Sequence, residues 1–126
     1  MEQSLKTYTS LWAMQPHDQT GIKLPYDQVC EMVANAGYNG MAIDLGAGDL
    51  AQAHEVRPHM DRHGLTPLIV AFPKTVESLR ETLIMAKDFG SPFVDVIGQV
   101  MPLSLDGMIP IIRQWMDMAD EIGVPI

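Results

Sequence analysis

Short apolar runs rich in β-branched residues alternate with helical patterns along the chain, and a glycine marks each change from helix to strand. Glycine is the usual residue just after a helix C-terminus, because it adopts the left-handed conformation without a Cβ clash. Such glycines recur at intervals of 27, 26 and 33 residues, at Gly37, Gly64, Gly90 and Gly123. One strand, one helix and two short loops fill roughly 30 residues. The pattern therefore predicts four consecutive βα units.

The apolar runs predict four strands, near 5–13, 40–45, 67–72 and 93–97. The periodicity predicts four helices, which begin after Leu24-Pro25, near Gly48 or Asp49, after Thr75 as N-cap, and near Ser104. The fourth helix has the widest apolar stripe, formed by Leu105, Met108, Ile109, Ile112, Trp115, Met116, Ala119 and Ile122. Pro110 within it predicts a kink or a later start near Gly107.

The segment Val124-Pro125-Ile126 follows the last of these glycines, where a fifth strand is expected to begin. A folded domain rarely stops on the first residues of a buried strand. We therefore predict a parallel α/β fold: (βα)4 plus the start of strand 5, half of a (βα)8 TIM barrel. Residues 1–126 would be its N-terminal half, truncated before strand 5. Length alone favours an open doubly wound sheet, but no G-x-G-x-x-G motif follows the first strand.

Composition indicates an ordinary folded protein, with 47% hydrophobic and 19% charged residues. The formal net charge is −8 and the eight basic residues are scattered, which argues against nucleic acid and anionic membranes as partners. Cys30 is the single cysteine and is interpreted as a small buried residue from a reducing compartment. The chain begins with polar residues rather than a signal peptide, and we expect a cytoplasmic protein.

Three βα junctions resemble those of the xylose-isomerase-like TIM barrels, the superfamily of sugar phosphate isomerases and epimerases. They are Gly37-Tyr38-Asn39-Gly40-Met41-Ala42-Ile43-Asp44, His63-Gly64-Leu65-Thr66-Pro67-Leu68 and Ala119-Asp120-Glu121-Ile122-Gly123-Val124-Pro125-Ile126. Asp44 stands where the family usually has Glu. The resemblance implies proton abstraction next to a carbonyl, with a divalent metal (Mn, Mg, Co or Zn) on strands 5 to 8 of a longer parent. The 126 residues alone are then expected to hold no metal and to be inactive.

In α/β barrels, functional residues lie at the carboxyl ends of the strands and on the loops that follow. That rule selects six substrate-binding candidates: Trp12, Met14, His17, Asp44, Phe72 and Gln99. No catalytic residue is assigned. His59 and His63 share a helix face, but they lie toward the C-terminal end of the second helix, where the helix dipole alone favours histidine. We interpret them, with His54, as surface residues rather than zinc ligands.

The leading functional hypothesis is the N-terminal part of a metal-dependent sugar or sugar phosphate isomerase or epimerase. Its partner would be a small-molecule substrate. One alternative is a non-catalytic ligand-binding or assembly module, a half barrel that self-associates through strands 1 and 4 into a homo-oligomer. The second alternative, an AP endonuclease-like phosphodiesterase of the same superfamily, is disfavoured because the −8 charge would repel DNA.

Overall fold

Four parallel strands alternate with four helices in the computed structural model, which describes residues 4–14, 23–45 and 49–126. The elements are β1 Tyr8–Ser10, a 3-10 turn Trp12–Met14, α1 Tyr26–Asn35, β2 Gly40–Asp44, α2 Leu50–Arg62, β3 Thr66–Ala71, α3 Ser78–Phe89, β4 Val94–Val96 and α4 Leu105–Ile122. The strand order in the sheet is β1-β2-β3-β4. The predicted parallel α/β class is confirmed, and it corresponds to half of a TIM barrel.

The chain divides into two compact units, Met1–Pro67 and Leu68–Ile126. In the first unit β1 pairs in parallel with β2, with Tyr8 opposite Gly40 and Ser10 opposite Ala42. Its core consists of alternate residues of β2 and one stripe from each helix: Met41, Ile43, Val29, Cys30, Val33, Ala53, Val56 and Met60. The alternation arises because successive strand side chains point to opposite faces.

In the second unit β3 pairs in parallel with β4, with Ile69 opposite Val94. Both residues are buried, together with the inner stripes of α3 and α4: Leu79, Leu83, Ala86, Phe89, Ile111, Trp115, Met118 and Ala119. The indole N–H of Trp115 donates to the carbonyl of Val76 at 3.1 Å. That bond satisfies the one polar atom of a side chain that is only 2% exposed.

The helix-ending role of the four glycines is confirmed. Their φ angles are +89° at Gly37, +67° at Gly64, +72° at Gly90 and +88° at Gly123. A Cβ in this region of φ meets the following carbonyl oxygen, so other residues adopt it only with strain. The βα periodicity in the sequence therefore reports a real backbone requirement.

Polar side chains bind backbone N–H groups at the start of α2 and in the turn before α3. The Asp49 carboxylate accepts from the N–H of Gln52 at 2.8 Å, which starts α2. Ser78 N–H donates to the Thr75 hydroxyl at 3.1 Å and Thr75 N–H donates to the Ser78 hydroxyl at 3.2 Å. Thr75 and Ser78 thus form a reciprocal pair in the turn that leads into α3. The N-cap of the helix is Glu77, two residues after the predicted Thr75, and it makes no side-chain capping bond.

The structure corrects one boundary prediction and decides another. The first strand covers Tyr8–Ser10 instead of 5–13, because the chain turns into the 3-10 turn at Trp12. The last helix starts after Ser104, as predicted, and includes Pro110 in its body, so the alternative start near Gly107 is not observed. Its start is held upstream, since the Ser104 hydroxyl accepts from the N–H of Gly107 at 3.2 Å.

The residues that follow Gly123 lie alongside β4. Val94 N–H donates to the carbonyl of Pro125 at 2.8 Å, a contact of the kind that joins neighbouring strands. This is where the sequence predicts a fifth strand, and the assignment of residues 1–126 to an N-terminal half stays a prediction. Among the described residues, no helix is both long and apolar enough to cross a membrane.

Candidate functional site

Two of the six candidate residues lie at the carboxyl ends of the neighbouring strands β1 and β2, at the same distance beyond the last paired residues. Ser10 is paired with Ala42, and Leu11 N–H donates to the carbonyl of Ala42 at 2.9 Å. Trp12 and Asp44 each lie two residues beyond that pair. Asp44 is half-buried at the end of β2, whereas the Trp12 side chain is 49% exposed. An indole face and a carboxylate therefore occupy the strand ends that α/β barrels use for ligands.

Met14 lies elsewhere, in the wall of a cavity of about 560 Å³. Other wall residues come from the turn after β1, from the start of α1 and from α2: Leu11, Lys23, Leu24, Pro25, Tyr26, Asp27, Val29, Glu55 and His59. The Tyr26 hydroxyl accepts from the Gln52 side chain at 3.3 Å and links the two helices. His17, the remaining candidate of this loop, lies outside the described residues.

Three side chains lie close to one carboxylate oxygen where α1 contacts α2. Asp27 Oδ1 accepts from Arg62 Nη1 at 2.6 Å, and it lies 3.2 Å from His63 Nε2 and 3.5 Å from His59 Nδ1. The hydrogen bond with His63 is the largest cause that lowers the pKa of Asp27; partial desolvation opposes it, and His59 and Arg62 lower it further. His59 Nδ1 is buried and makes no hydrogen bond in the described part of the chain.

This cluster shows what the two histidines on one face of α2 contact. His59 and His63 do share a helix face, and that face is directed at Asp27. Within 4–14, 23–45 and 49–126, no group of three or more His, Cys, Asp or Glu is arranged to hold a metal ion. Arg62 beside the carboxylate would also repel a cation. These residues do not fit a metal, and the metal expected on strands 5 to 8 of a longer parent stays a prediction.

The second unit places its two candidates at the carboxyl ends of β3 and β4. Phe72 follows β3 and is half-buried, while Gln99 follows β4 and is exposed. Ile97 N–H donates to the carbonyl of Ala71 at 2.9 Å, and Gln99 N–H donates to that of Pro73 at 3.1 Å. The parallel ladder thus continues past both strands and holds the loop after β4 beside the loop after β3.

Sequence reasoning missed Asp27. Its only sequence signal is an acidic residue in the first turn of a helix, which the helix dipole explains without any partner. The partner residues lie about 35 positions further along the chain, at Arg62 and His63. Only the packing of α1 on α2 shows that these groups meet.

Solved structures with a similar fold include two 3-dehydroquinate dehydratases. The enzyme from Geobacillus kaustophilus HTA426 matches over 95% of this chain and 48% of its own, with a TM-score of 0.60 and 16% identity. The type I enzyme from Clostridium difficile, with covalently modified comenic acid, matches over 94% and 46%, with a TM-score of 0.56 and 16% identity. This chain therefore spans about half the length of these neighbours. No protein-family model matches the sequence, and no curated protein does at a significant level.

These neighbours correct the family and the function inferred from the sequence. The resemblance to the xylose-isomerase-like superfamily is wrong, because the neighbours belong to a different TIM-barrel family. The predicted function of a metal-dependent isomerase or epimerase is also wrong, since the neighbours are dehydratases. The alternative functions gain no support from these neighbours. The junction motifs were misleading because glycine, a short loop and an apolar strand occur wherever a βα unit repeats.

Proposed function

We propose that the chain is part of a TIM-barrel enzyme and binds a small hydroxylated carbonyl compound at the carboxyl ends of its strands. The position of Asp44 carries the proposal. A carboxylate at the end of an otherwise apolar strand accepts hydrogen bonds from ligand hydroxyl groups, and such bonds to a charged group contribute about 1.5–3 kcal/mol. Trp12, at the same level of the β1–β2 pair, offers an apolar ring face to the carbon side of the ligand.

The substrate class follows from chemistry shared by two compounds. 3-Dehydroquinate, the compound in the neighbours' names, is a hydroxylated ketone. The open-chain form of a ketose phosphate, the class expected from the sequence, is also a hydroxylated ketone. Asp44 suits the hydroxyl groups of either compound. Binding experiments with both therefore show whether the chain binds 3-dehydroquinate or a ketose phosphate. We expect binding without turnover from this chain alone, because it spans about half of the neighbours' length.

Localisation and association belong to the same proposal. The free Cys30 is buried in α1, which suits a protein of a reducing compartment, and we propose the cytoplasm. The net charge of −8 argues against nucleic acid as a partner. We also propose that the chain forms a homo-oligomer.

The test is a fluorescence titration with 3-dehydroquinate and, separately, with ribulose 5-phosphate. Trp12 is half-exposed and should respond to a ligand, whereas Trp115 is buried and should not. We expect a saturable change with at least one compound and its loss in Trp12→Phe. Asp44→Asn should weaken binding about tenfold or more, which corresponds to about 1.4 kcal/mol.

The matched control is Asp117→Asn, which removes an equal charge from the exposed surface of α4. It should bind like the unmodified chain, so that a general charge effect is separated from a specific contact. Absence of any saturable signal with either compound would overturn the proposal. Equal affinity of Asp44→Asn and Asp117→Asn would remove Asp44 from the site.

A further inference from the structure

A cavity lined by the turn after β1, the start of α1 and the body of α2 has the size of a small-molecule site. Its volume of about 560 Å³ lies within the roughly 300–1,000 Å³ that is typical of such sites. Its described wall residues all belong to the first unit. Neither Trp12 nor Asp44 is among them, so a ligand in this cavity would meet side chains that the proposed strand-end site does not use.

Two opposite charges in the wall have no ionic partner in the part of the chain that the structure describes. Lys23 precedes α1 and Glu55 lies in α2, and both residues are exposed. Neither belongs to any salt bridge of the described residues, and they do not pair with each other. Asp27, the other carboxylate of the wall, is bound by Arg62 at 2.6 Å. A ligand complementary to this wall therefore carries one negative and one positive group.

The imidazole of His59 adds a hydrogen-bond acceptor to the wall. Its Nδ1 is buried and lies 3.5 Å from the Asp27 carboxylate, which favours the tautomer with the proton on Nδ1 and a lone pair on Nε2. The side chain is 31% exposed although Nδ1 is buried, so its exposed part is the side of the ring that carries Nε2. His59 follows Glu55 by four residues on α2 and shares its face. A lone pair beside an unpaired carboxylate suits an ammonium group, which has three N–H donors.

The apolar part of the wall supplies the surface for a hydrocarbon group, and it consists of Leu11, Met14, Leu24, Pro25 and Val29. We propose that this cavity binds an α-amino acid with an aliphatic side chain. Its ammonium group donates to Glu55 and to Nε2 of His59, and its carboxylate accepts from Lys23. Its side chain packs on the apolar part of the wall, because burial there removes hydrocarbon surface from water.

Isothermal titration calorimetry with L-leucine tests the proposal, and two analogues separate the charged groups of the ligand. Isocaproate lacks the ammonium group of leucine and isoamylamine lacks its carboxylate, while both keep the same aliphatic branch. We expect saturable binding of leucine, and each analogue should bind at least about tenfold more weakly. Absence of saturable heat with leucine would overturn the proposal, as would equal affinity for leucine and either analogue.

Two substitutions test the wall itself. Glu55→Gln and Lys23→Gln each remove one charge from an exposed position, so both variants should fold, which circular dichroism verifies. Each should weaken leucine binding at least about tenfold. The matched control is Glu31→Gln, which removes an exposed carboxylate of α1 outside the cavity wall and should bind leucine like the unmodified chain. A Glu55→Gln or Lys23→Gln variant that binds leucine as Glu31→Gln does would contradict the proposal. Binding at the strand ends is measured separately through Trp12, so the two proposals fail independently.

Discussion

The substitution Gly40→Ala should destabilise the protein severely although it adds a single methyl group. Gly40 begins β2 and lies opposite Tyr8 of β1. A Cβ built at this position would lie 2.5 Å from Tyr8 Cε1, about 1–1.5 Å inside the usual separation of about 3.5–4.0 Å. It would also clash with the backbone carbonyl oxygen of Thr66. The tyrosine ring can rotate away, but the carbonyl moves only if β3 moves.

The magnitude follows from what such a movement breaks. Overpacking of a tight core costs about 1–3 kcal/mol. Displacement of β3 also weakens the hydrogen bond from Thr66 N–H to the carbonyl of Asn39, now 3.0 Å long, which contributes about 1 kcal/mol. We therefore expect Gly40→Ala to lower the free energy of unfolding by about 3 kcal/mol.

Urea unfolding followed by circular dichroism measures this loss, with Gly37→Ala as the matched control. Gly37 has a φ of +89° but nothing within 4 Å of an added Cβ, so its substitution costs only the strain of a left-handed residue, about 1–2 kcal/mol. A loss for Gly40→Ala no larger than that for Gly37→Ala would refute the steric argument.

Three further predictions concern acid stability, packing and thiol reactivity. The folded-state pKa of Asp27 lies below its usual 3.8, so its carboxylate stabilises the fold above about pH 4 and loses this effect as pH falls further. The urea midpoint should therefore fall less between pH 5 and pH 2.5 for Asp27→Asn than for Asp117→Asn. An equal fall of the midpoint in the two variants would contradict this prediction. Leu83→Ala, in the core, should cost about 2–5 kcal/mol, whereas Ile84→Ala at the exposed neighbouring position should cost about 0.5 kcal/mol or less, compared by thermal unfolding. Burial raises the pKa of the Cys30 thiol to about 11, so a disulfide reagent should leave it unmodified at pH 8 until urea unfolds the chain, and rapid native labelling would show that α1 opens.

The candidate site was predictable only to the level of strand ends. Trp12, Asp44, Phe72 and Gln99 lie where the rule for α/β barrels puts functional residues, since each follows or ends a strand. Met14 satisfies the same rule but lines the cavity beside α1 instead. The rule uses position along the chain, whereas the direction of a side chain after a strand depends on the turn that follows, here a 3-10 turn.

The sequence by itself determined the alternation of strands and helices in this protein, because that alternation depends on local requirements. A positive φ at Gly90 or Gly123 needs glycine wherever the helix lies in space, and an N-cap such as Asp49 needs only its own helix. Such requirements act over a few residues, so they can be read directly from the order of amino acids.

Tertiary structure alone decided which surfaces meet. The apolar residues of α4 look like one wide stripe in the sequence, but packing divides them into a buried part around Trp115 and an exposed part around Ile112. Likewise, only the contact of α1 with α2 brings Asp27 to His63. Periodicity specifies the face of a helix on which a residue lies, while coverage of that face depends on contacts between residues far apart in the chain.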